Sequence, residues 1–308
     1  MIYTITLNPS LDRTIYLESL VKSEANRIIR EERYPAGKGI DVSRVLLTLG
    51  HESIALGFLG GYTGDEIEGR LFNEGLMMNF VRIKGETRTN IIMHCGENEE
   101  YVINAKGPVV EPIEIAELYR TIKNLHKKPA FAVISGSIPE GLSTRIYAQL
   151  TLLFESLGAR VIVDTSGEPL KEAVLATPFM IKPNEKEFMA LVGKNLTSTH
   201  EFVQEGKKVV QRGVEFVVIS LGHRGAIGIV RDEAFLAIPP EVKAINSVGA
   251  GDSLVAGVVA GLKEGLTYEE ALRLGVACGT ASTLRRGTAQ LSRDDIAKIL
   301  KGVKLNKI

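Results

Sequence analysis

An excess of either charge is missing from this 308-residue sequence: lysine plus arginine and aspartate plus glutamate both come to 37. That neutral balance, without a basic block, argues against nucleic acid or an anionic membrane as the main partner. Cysteine is scarce as well. Cys95 and Cys278 are the only two, far apart and without a CxxC or a nearby histidine cluster, so neither a disulfide framework nor a zinc site is expected. Reduced thiols in the core or at the surface are expected instead. No apolar run approaches the roughly 18 residues that a membrane span needs. The opening stretch Met1-Ile2-Tyr3-Thr4-Ile5-Thr6-Leu7 has no basic leader and reads as a strand. A soluble, cytoplasmic protein is expected.

What is present is ordinary in bulk, with 44% apolar and 24% charged residues, the proportions of a globular protein. The length suffices for one large α/β domain or two smaller ones. After the first strand, Asn8-Pro9-Ser10-Leu11-Asp12 forms a turn that leaves an acid at its edge. Alternating stretches at 13–18 and 26–34 suit a half-exposed sheet. A second pair at 89–94 and 100–105, with Glu97-Asn98-Glu99 at its turn, suits the same small sheet. Ile40, Val42, Val45, Leu46 and Leu49 fall at helix spacing behind Pro35-Ala36-Gly37-Lys38-Gly39, and Gly50 supplies the stop. A strand at 53–58, a loop Gly60-Gly61-Tyr62-Thr63-Gly64-Asp65 and a helix at 66–74 follow. Farther on, buried-looking strands at 131–134, 161–163, 179–181 and 216–219 alternate with helical patterns at 113–125, 144–157, 200–212, 253–263, 268–284 and 294–300. Continuous apolar strands separated by helices predict a parallel sheet covered on both faces.

The chemistry concentrates at 246–257, around Val248-Gly249-Ala250-Gly251-Asp252-Ser253. Two glycines bracket an alanine, an acid follows, and a helical pattern runs on. The first N–H groups of a helix lack internal partners and sit at the positive end of its dipole. With glycines clearing the side chains away, they form a pocket for an anion. An aspartate there is placed to take a proton from a hydroxyl while the N–H groups hold developing negative charge. The plainer alternative is a helix start with an ordinary first-turn acid. Polar turns also end several other strands: Asn8 to Asp12, Ser135-Gly136-Ser137, Lys182 to Glu187, and Ser220-Leu221-Gly222. In open parallel sheets ligands bind at that carboxyl edge. A Walker P-loop, a dinucleotide fingerprint and the protein-kinase motifs are all absent. Any nucleotide is handled by another architecture.

Four co-linear motifs then point one way. Gly37-Lys38-Gly39 with Gly57-Phe58-Leu59-Gly60 and Gly64-Asp65 resembles the N-terminal signature of the ribokinase-like (PfkB) carbohydrate kinases. Val248 to Ser253 with Ala256-Gly257 resembles their C-terminal signature. Asn184-x-x-Glu187 is similar to their magnesium–phosphate motif, and Ser220-Leu221-Gly222-x-x-Gly225 to their ATP loop. The resemblance spans nearly the whole chain. It implies a single domain over 1–308, a three-layer α/β/α fold with a mostly parallel central sheet, and a small β-sheet lid from segments about 12–35 and 85–106. It also implies ATP and Mg²⁺ as cofactors. Asp252 becomes the expected base, with the N–H groups of Gly249, Ala250 and Gly251 as the anion hole. Lys182, Asn184, Ser220, Gly222, Gly225, Val248, Gly251 and Ser282 are expected at the nucleotide. Glu187 and Asn184 are expected at Mg²⁺ through water, with a capping pair behind Pro183 as the alternative.

A narrower resemblance rests on Thr6-Leu7-Asn8-Pro9-Ser10-Leu11-Asp12 and Gly85-Glu86-Thr87-Arg88-Thr89-Asn90. Both look like the hexose-phosphate branch, whose members act on fructose 1-phosphate, fructose 6-phosphate or tagatose 6-phosphate. It implies a ketohexose bisphosphate as product, with fructose 1-phosphate as the first choice of acceptor. Guanidinium matches phosphate with two parallel hydrogen bonds, so Arg88 and Arg27 are candidates to clamp it. A solvated Arg27 is the alternative. Asp12, Gly37, Lys38, Gly39, Asn90 and Ser137 complete the expected acceptor site. Asp41 departs from the asparagine usual in the branch and adds negative charge there. A kinase of an unphosphorylated sugar or nucleoside, and a catalytically silent sugar-phosphate binder, are the rival readings. Exposed lid edges suggest a homodimer.

Overall fold

A computed structural model describes residues 1–96 and 99–308 of the chain; Glu97 and Asn98 of the expected acidic turn lie outside the described residues. The chain opens with β1 (Ile2–Thr6), wholly buried, followed by the antiparallel pair β2 (Ser10–Leu17) and β3 (Arg30–Ala36). Helix α1 (Lys38–Leu49) ends on Gly50, whose left-handed backbone (φ 89°) lets the chain turn away. Next come β4 (Ser53–Gly60) and α2 (Gly61–Asn73). The loop expected at 60–65 is therefore the first turns of a helix. Its start is capped from a distance, because Glu86 Oε1 accepts the Thr63 N–H at 2.7 Å, which a local reading of a glycine-rich stretch does not reveal.

The chain continues through β5 (Met77–Met78), β6 (Val81–Ile83), β7 (Arg88–Cys95), β8 (Glu99–Ile103) and α3 (Pro112–Lys123). The expected alternation then holds: β9 (Phe131–Ser135), α4 (Ile146–Ser156), β10 (Arg160–Asp164), α5 (Gly167–Leu175), β11 (Met180–Ile181), α6 (Glu185–Val192), α7 (Thr199–Gln211) and β12 (Phe216–Ser220). Strands β13 (Ala226–Ile229) and β14 (Ala234–Ile238) follow, then α8 (Ala250–Lys263), α9 (Tyr268–Ser282), α10 (Arg293–Gly302) and β15 (Lys304–Lys307).

Among the described residues the larger sheet has eleven strands, in the order β15-β14-β13-β12-β11-β10-β9-β1-β4-β5 with β6 beside β4. From β12 to β5 it is parallel, and β13, β14 and β15 extend it antiparallel. Successive side chains of a strand point to opposite faces, and both faces here are apolar. Ala132 and Ile134 of β9 join a core with Leu118, Phe154 and Phe202 of α3, α4 and α7. Phe131 and Val133 join the opposite core with Val45, Val255 and Ala277 of α1, α8 and α9. Three layers result. The second sheet has the order β3-β2-β7-β8, and its β2 leaves directly from the end of β1. Parallel strands send their following turns to one edge, so the turns after β1, β9, β10, β11 and β12 gather there.

Candidate active site

Helix α8 begins at that edge. Gly249 caps it with a left-handed backbone (φ 80°), and no side chain caps the N–H groups. A Cβ on Gly249 would stand 2.6 Å from the Ala289 backbone nitrogen, so only glycine fits the turn. Ala250, Gly251 and Asp252 form the first turn, with their N–H groups at the positive end of the dipole. A Cβ on Gly251 would lie 3.4 Å from Lys182 Nζ. That is an ordinary contact distance, and the Lys182 ammonium stands against the helix start.

Four charged side chains converge here. Asp164, the last residue of β10, holds Lys182 Nζ at 3.2 Å through Oδ1 and Lys38 Nζ at 3.0 Å through Oδ2. Lys38 also reaches Asp252 Oδ1 at 3.3 Å. Asp164, Lys182 and Asp252 are buried, whereas the Lys38 side chain remains 41% exposed and opens the cluster to a ligand. Burial works to raise the Asp164 carboxyl, but Lys182 and Lys38 outweigh it and hold the group below its ordinary value. Burial raises Asp252, against the pull of Lys38. Burial works to lower Lys38, but its two carboxylates more than compensate. Sequence reasoning missed Asp164. Its only signal was an acid closing the buried run Val161-Ile162-Val163.

On the second-sheet side, Asp12 of β2 lies opposite Asn90 of β7. Asn90 Nδ2 donates to Asp12 Oδ1 at 2.8 Å, and the Ser10 hydroxyl donates to the same oxygen at 2.8 Å. Asn90 thus positions Asp12. Gly37 and Gly39 are explained by packing, since a Cβ on either would meet Thr6 at 2.6 Å. Asp41 is buried and accepts from Arg44 Nη1 at 2.6 Å, so the negative charge expected beside the sugar phosphate is paired with a guanidinium. Burial pushes its carboxyl up, and Arg44 opposes this. Arg88 donates to the carbonyls of Asn8 at 3.0 Å and Ala105 at 2.9 Å. It lines a cavity of ≈ 640 Å³ with Ser137 and Thr165, and Ser137 Oγ accepts from Asn8 Nδ2 at 3.1 Å. Lys106, which sequence reasoning missed, lines the same cavity. Arg27 is exposed in the segment between β2 and β3. Among the described residues it makes no hydrogen bond or ion pair and is not brought to this group.

A second cavity, ≈ 570 Å³, lies at the start of α8. Ser220, Gly222, Gly225, Ala250 and Gly251 line it, with Pro239, Val242, Leu254 and Val276 as apolar walls. Gly225 is required, because a Cβ there would come 1.9 Å from the Ala237 carbonyl oxygen. Ser282 does not reach the cavity. It is buried within α9 and donates to the Gly279 carbonyl at 2.8 Å, and Thr280 and Thr283 line the wall instead. Val248 is exposed in the loop before α8, its N–H bonded to Asn246 Oδ1 at 2.9 Å. Asn184 and Glu187 cap α6 reciprocally, at 2.8 and 2.9 Å. That is the capping pair named as the alternative reading. The box occupies Asn184 Oδ1 and Glu187 Oε2, and among the described residues Glu187 Oε1 accepts no hydrogen bond.

This three-layer architecture is ribokinase-like. The solved phosphofructokinase-2 of Escherichia coli superposes on it with a TM-score of 0.92, at 35% identity, over 97% of this chain and 98% of that one. The sequence profile of pfkB family carbohydrate kinase matches residues 5–295, and the chain belongs to that family. It is 38% identical to a 1-phosphofructokinase of Bacillus subtilis and 35% identical to a tagatose-6-phosphate kinase of Staphylococcus epidermidis, each alignment covering 100% of both sequences.

Proposed function

We propose that the chain transfers the γ-phosphoryl group of ATP to a hydroxyl of a ketohexose phosphate, giving a ketohexose bisphosphate. Fructose 1-phosphate is the acceptor of first choice, with fructose 6-phosphate and tagatose 6-phosphate as alternatives. The carrying observation is Lys38, whose ammonium joins Asp164 to Asp252 beside the open start of α8. Full-length similarity to a 1-phosphofructokinase and a tagatose-6-phosphate kinase supports the substrate class.

Phosphoryl transfer depends chiefly on positioning and on electrostatic stabilisation. Asp252 takes the proton of the attacking hydroxyl, and its raised proton affinity suits that task. The N–H groups of Gly249, Ala250 and Gly251 stabilise charge on the group in transfer. Lys182, beside Gly251, faces the donor phosphates, and the ≈ 570 Å³ cavity receives the nucleoside. Asp12 orients the acceptor through its hydroxyls, while Arg88 and Ser137 hold its phosphate. Asp164 positions both lysines.

Mg²⁺ is the proposed metal. Among the described residues no cluster of three or more His, Cys, Asp or Glu could cage an ion, which fits a metal carried mainly by substrate phosphates and water. The free Glu187 Oε1 would hold one of those waters, and the bound ion would neutralise charge on ATP. All of 1–308 is proposed as one kinase unit, with the second sheet as its lid. Exposed Tyr101, Val102 and Ile103 of β8 support pairing of that sheet with a second copy, which sedimentation tests. No helix among the described residues is long and apolar enough to cross a membrane.

An ADP-release assay over fructose 1-phosphate, fructose 6-phosphate, tagatose 6-phosphate, fructose and ribose tests the reading. Turnover confined to the sugar phosphates is expected. Comparable turnover on fructose or ribose overturns the phosphate clamp.

A further inference from the structure

Tyr147, near the start of α4, is completely buried, and its hydroxyl meets the turn that follows β9. Three successive carbonyl oxygens converge on it: Ser135 at 3.4 Å, Gly136 at 3.2 Å and Ser137 at 3.4 Å. A phenol has one hydrogen to donate, so it is shared among them. Gly136 has a second donor, Thr165 Oγ1 at 2.8 Å. The Ser137 carbonyl accepts from no other group among the described residues.

These carbonyls also fix the other side of the turn. In a trans peptide the C=O of one residue and the N–H of the next point in opposite directions. Carbonyls turned toward Tyr147 therefore turn the N–H groups of Ser137 and Ile138 away from the core. The Gly136 N–H is taken by the Asp164 carbonyl at 3.0 Å, but those of Ser137 and Ile138 donate to nothing among the described residues. Both residues line the ≈ 640 Å³ cavity that Arg88 also lines. Gly136, at φ 100°, supplies the bend that a side chain would resist. Successive N–H groups freed in such a turn make a concavity for an anion.

Resting on the proposed sugar-phosphate kinase reading, we infer that Tyr147 is a positioning residue: it holds the 135–137 carbonyls inward and so presents the N–H groups of Ser137 and Ile138 to the acceptor's phosphate. Tyr147 itself touches no substrate. With phenylalanine at 147 the Ser137 carbonyl has no donor, and the peptide joining Ser137 to Ile138 is released. Rotation of that peptide takes the Ile138 N–H out of the cavity and turns a carbonyl dipole toward the phosphate. A tyrosine that only fills the core would lose its hydroxyl at a cost in stability and none in acceptor recognition. This difference is measurable.

The test compares two changes in α4. Tyr147→Phe keeps the ring and removes the hydroxyl. The KM for the acceptor that wild type turns over best should rise about three- to tenfold, the size of one hydrogen bond, at unchanged ATP KM and kcat. Phe154→Leu trims the same core farther along the helix and keeps the hydroxyl. It should lower the melting temperature and leave the acceptor KM alone. An unchanged acceptor KM in Tyr147→Phe overturns the inference, as does an equal rise in Phe154→Leu or an equal rise in ATP KM. Amide NMR reads the donors without turnover. Saturating wild type with the acceptor should move the Ser137 and Ile138 amide protons downfield, and an Ile138 amide that does not move also overturns the inference. Absence of wild-type turnover on every sugar phosphate would instead refute the underlying functional reading.

Discussion

Lys38 and Asp252 are 214 positions apart in the chain, yet the lysine Nζ stands 3.3 Å from the aspartate Oδ1. Burial raises the proton affinity of Asp252, and Lys38 is the largest influence opposing it. A base acts only when deprotonated, so kcat/KM should fall as pH drops through the folded value of Asp252. That value lies above the ordinary 3.8. Lys38→Met removes the opposing cation and should move this acid limb to higher pH. A pH–rate profile reads the shift directly, and an unmoved limb would separate the limb from Asp252.

Asp252→Asn keeps the shape of the side chain and removes the base. Turnover should fall by about 10²- to 10⁴-fold, the usual worth of a positioned general base. Sugar-phosphate binding, followed by calorimetry, should persist. Normal turnover would remove Asp252 from the role proposed for it.

Asp164 serves two lysines, one through each oxygen. Asp164→Asn leaves the buried Lys182 without an anion, and removing one partner of a buried pair costs about 3–5 kcal/mol. Urea unfolding near neutral pH measures this. The pH dependence has a definite sign. The folded-state affinity of Asp164 for a proton is depressed, so its stabilising contribution is present above 3.8 and lost as pH falls through the lower folded value. The stability gap between wild type and variant should therefore narrow in acid. A gap that widens there contradicts the pairing.

Elements defined by local chemistry were legible in the sequence. Gly50 marks the end of α1, and the apolar runs of β9, β10 and β12 mark buried parallel strands. Elements held by distant partners were not. The start of α2 looked like a loop because Glu86, which caps it, lies more than twenty residues away. The antiparallel strands β13 (Ala-Ile-Gly-Ile) and β14 (Ala-Phe-Leu-Ala-Ile) show no period-2 alternation to announce a strand, and β15 (Lys-Leu-Asn-Lys) carries too little apolar pattern to announce itself. The site divides in the same way. Glycine-rich turns are visible in one dimension, whereas Asp164 acquires meaning only when parallel pairing sets the end of β10 beside Lys182. Ser282 erred for the opposite reason: a hydroxyl near the right turn points into its own helix.

Gly249 tests the anion-binding turn through its backbone. A side chain there must adopt φ 80° and meets Ala289 at 2.6 Å, so Gly249→Ala should cost about 1–3 kcal/mol of stability from the backbone conformation alone. The N–H groups of Ala250 and Gly251 would shift with it. Turnover should fall more than ATP affinity does, because the turn acts on charge that develops during transfer. Loss of ATP affinity with kcat unchanged would assign the turn to ground-state binding.

Arg88 decides whether the acceptor must carry a phosphate. A guanidinium has five N–H donors, and Arg88 places three bonds on the carbonyls of Asn8 and Ala105. Those bonds fix its plane at the cavity wall beside Ser137, leaving donors for an incoming anion. Arg88→Lys retains the charge but loses both the fork and the carbonyl anchors. The KM for the sugar phosphate should rise by about tenfold or more, since a charge-assisted hydrogen bond contributes roughly 1.5–3 kcal/mol. Any trace turnover of the corresponding free sugar should stay unchanged, because that acceptor presents no phosphate to lose. Steady-state kinetics on the matched pair of acceptors supplies the check. An equal loss on both would mean that Arg88 supports the fold of the second sheet and not the recognition of phosphate.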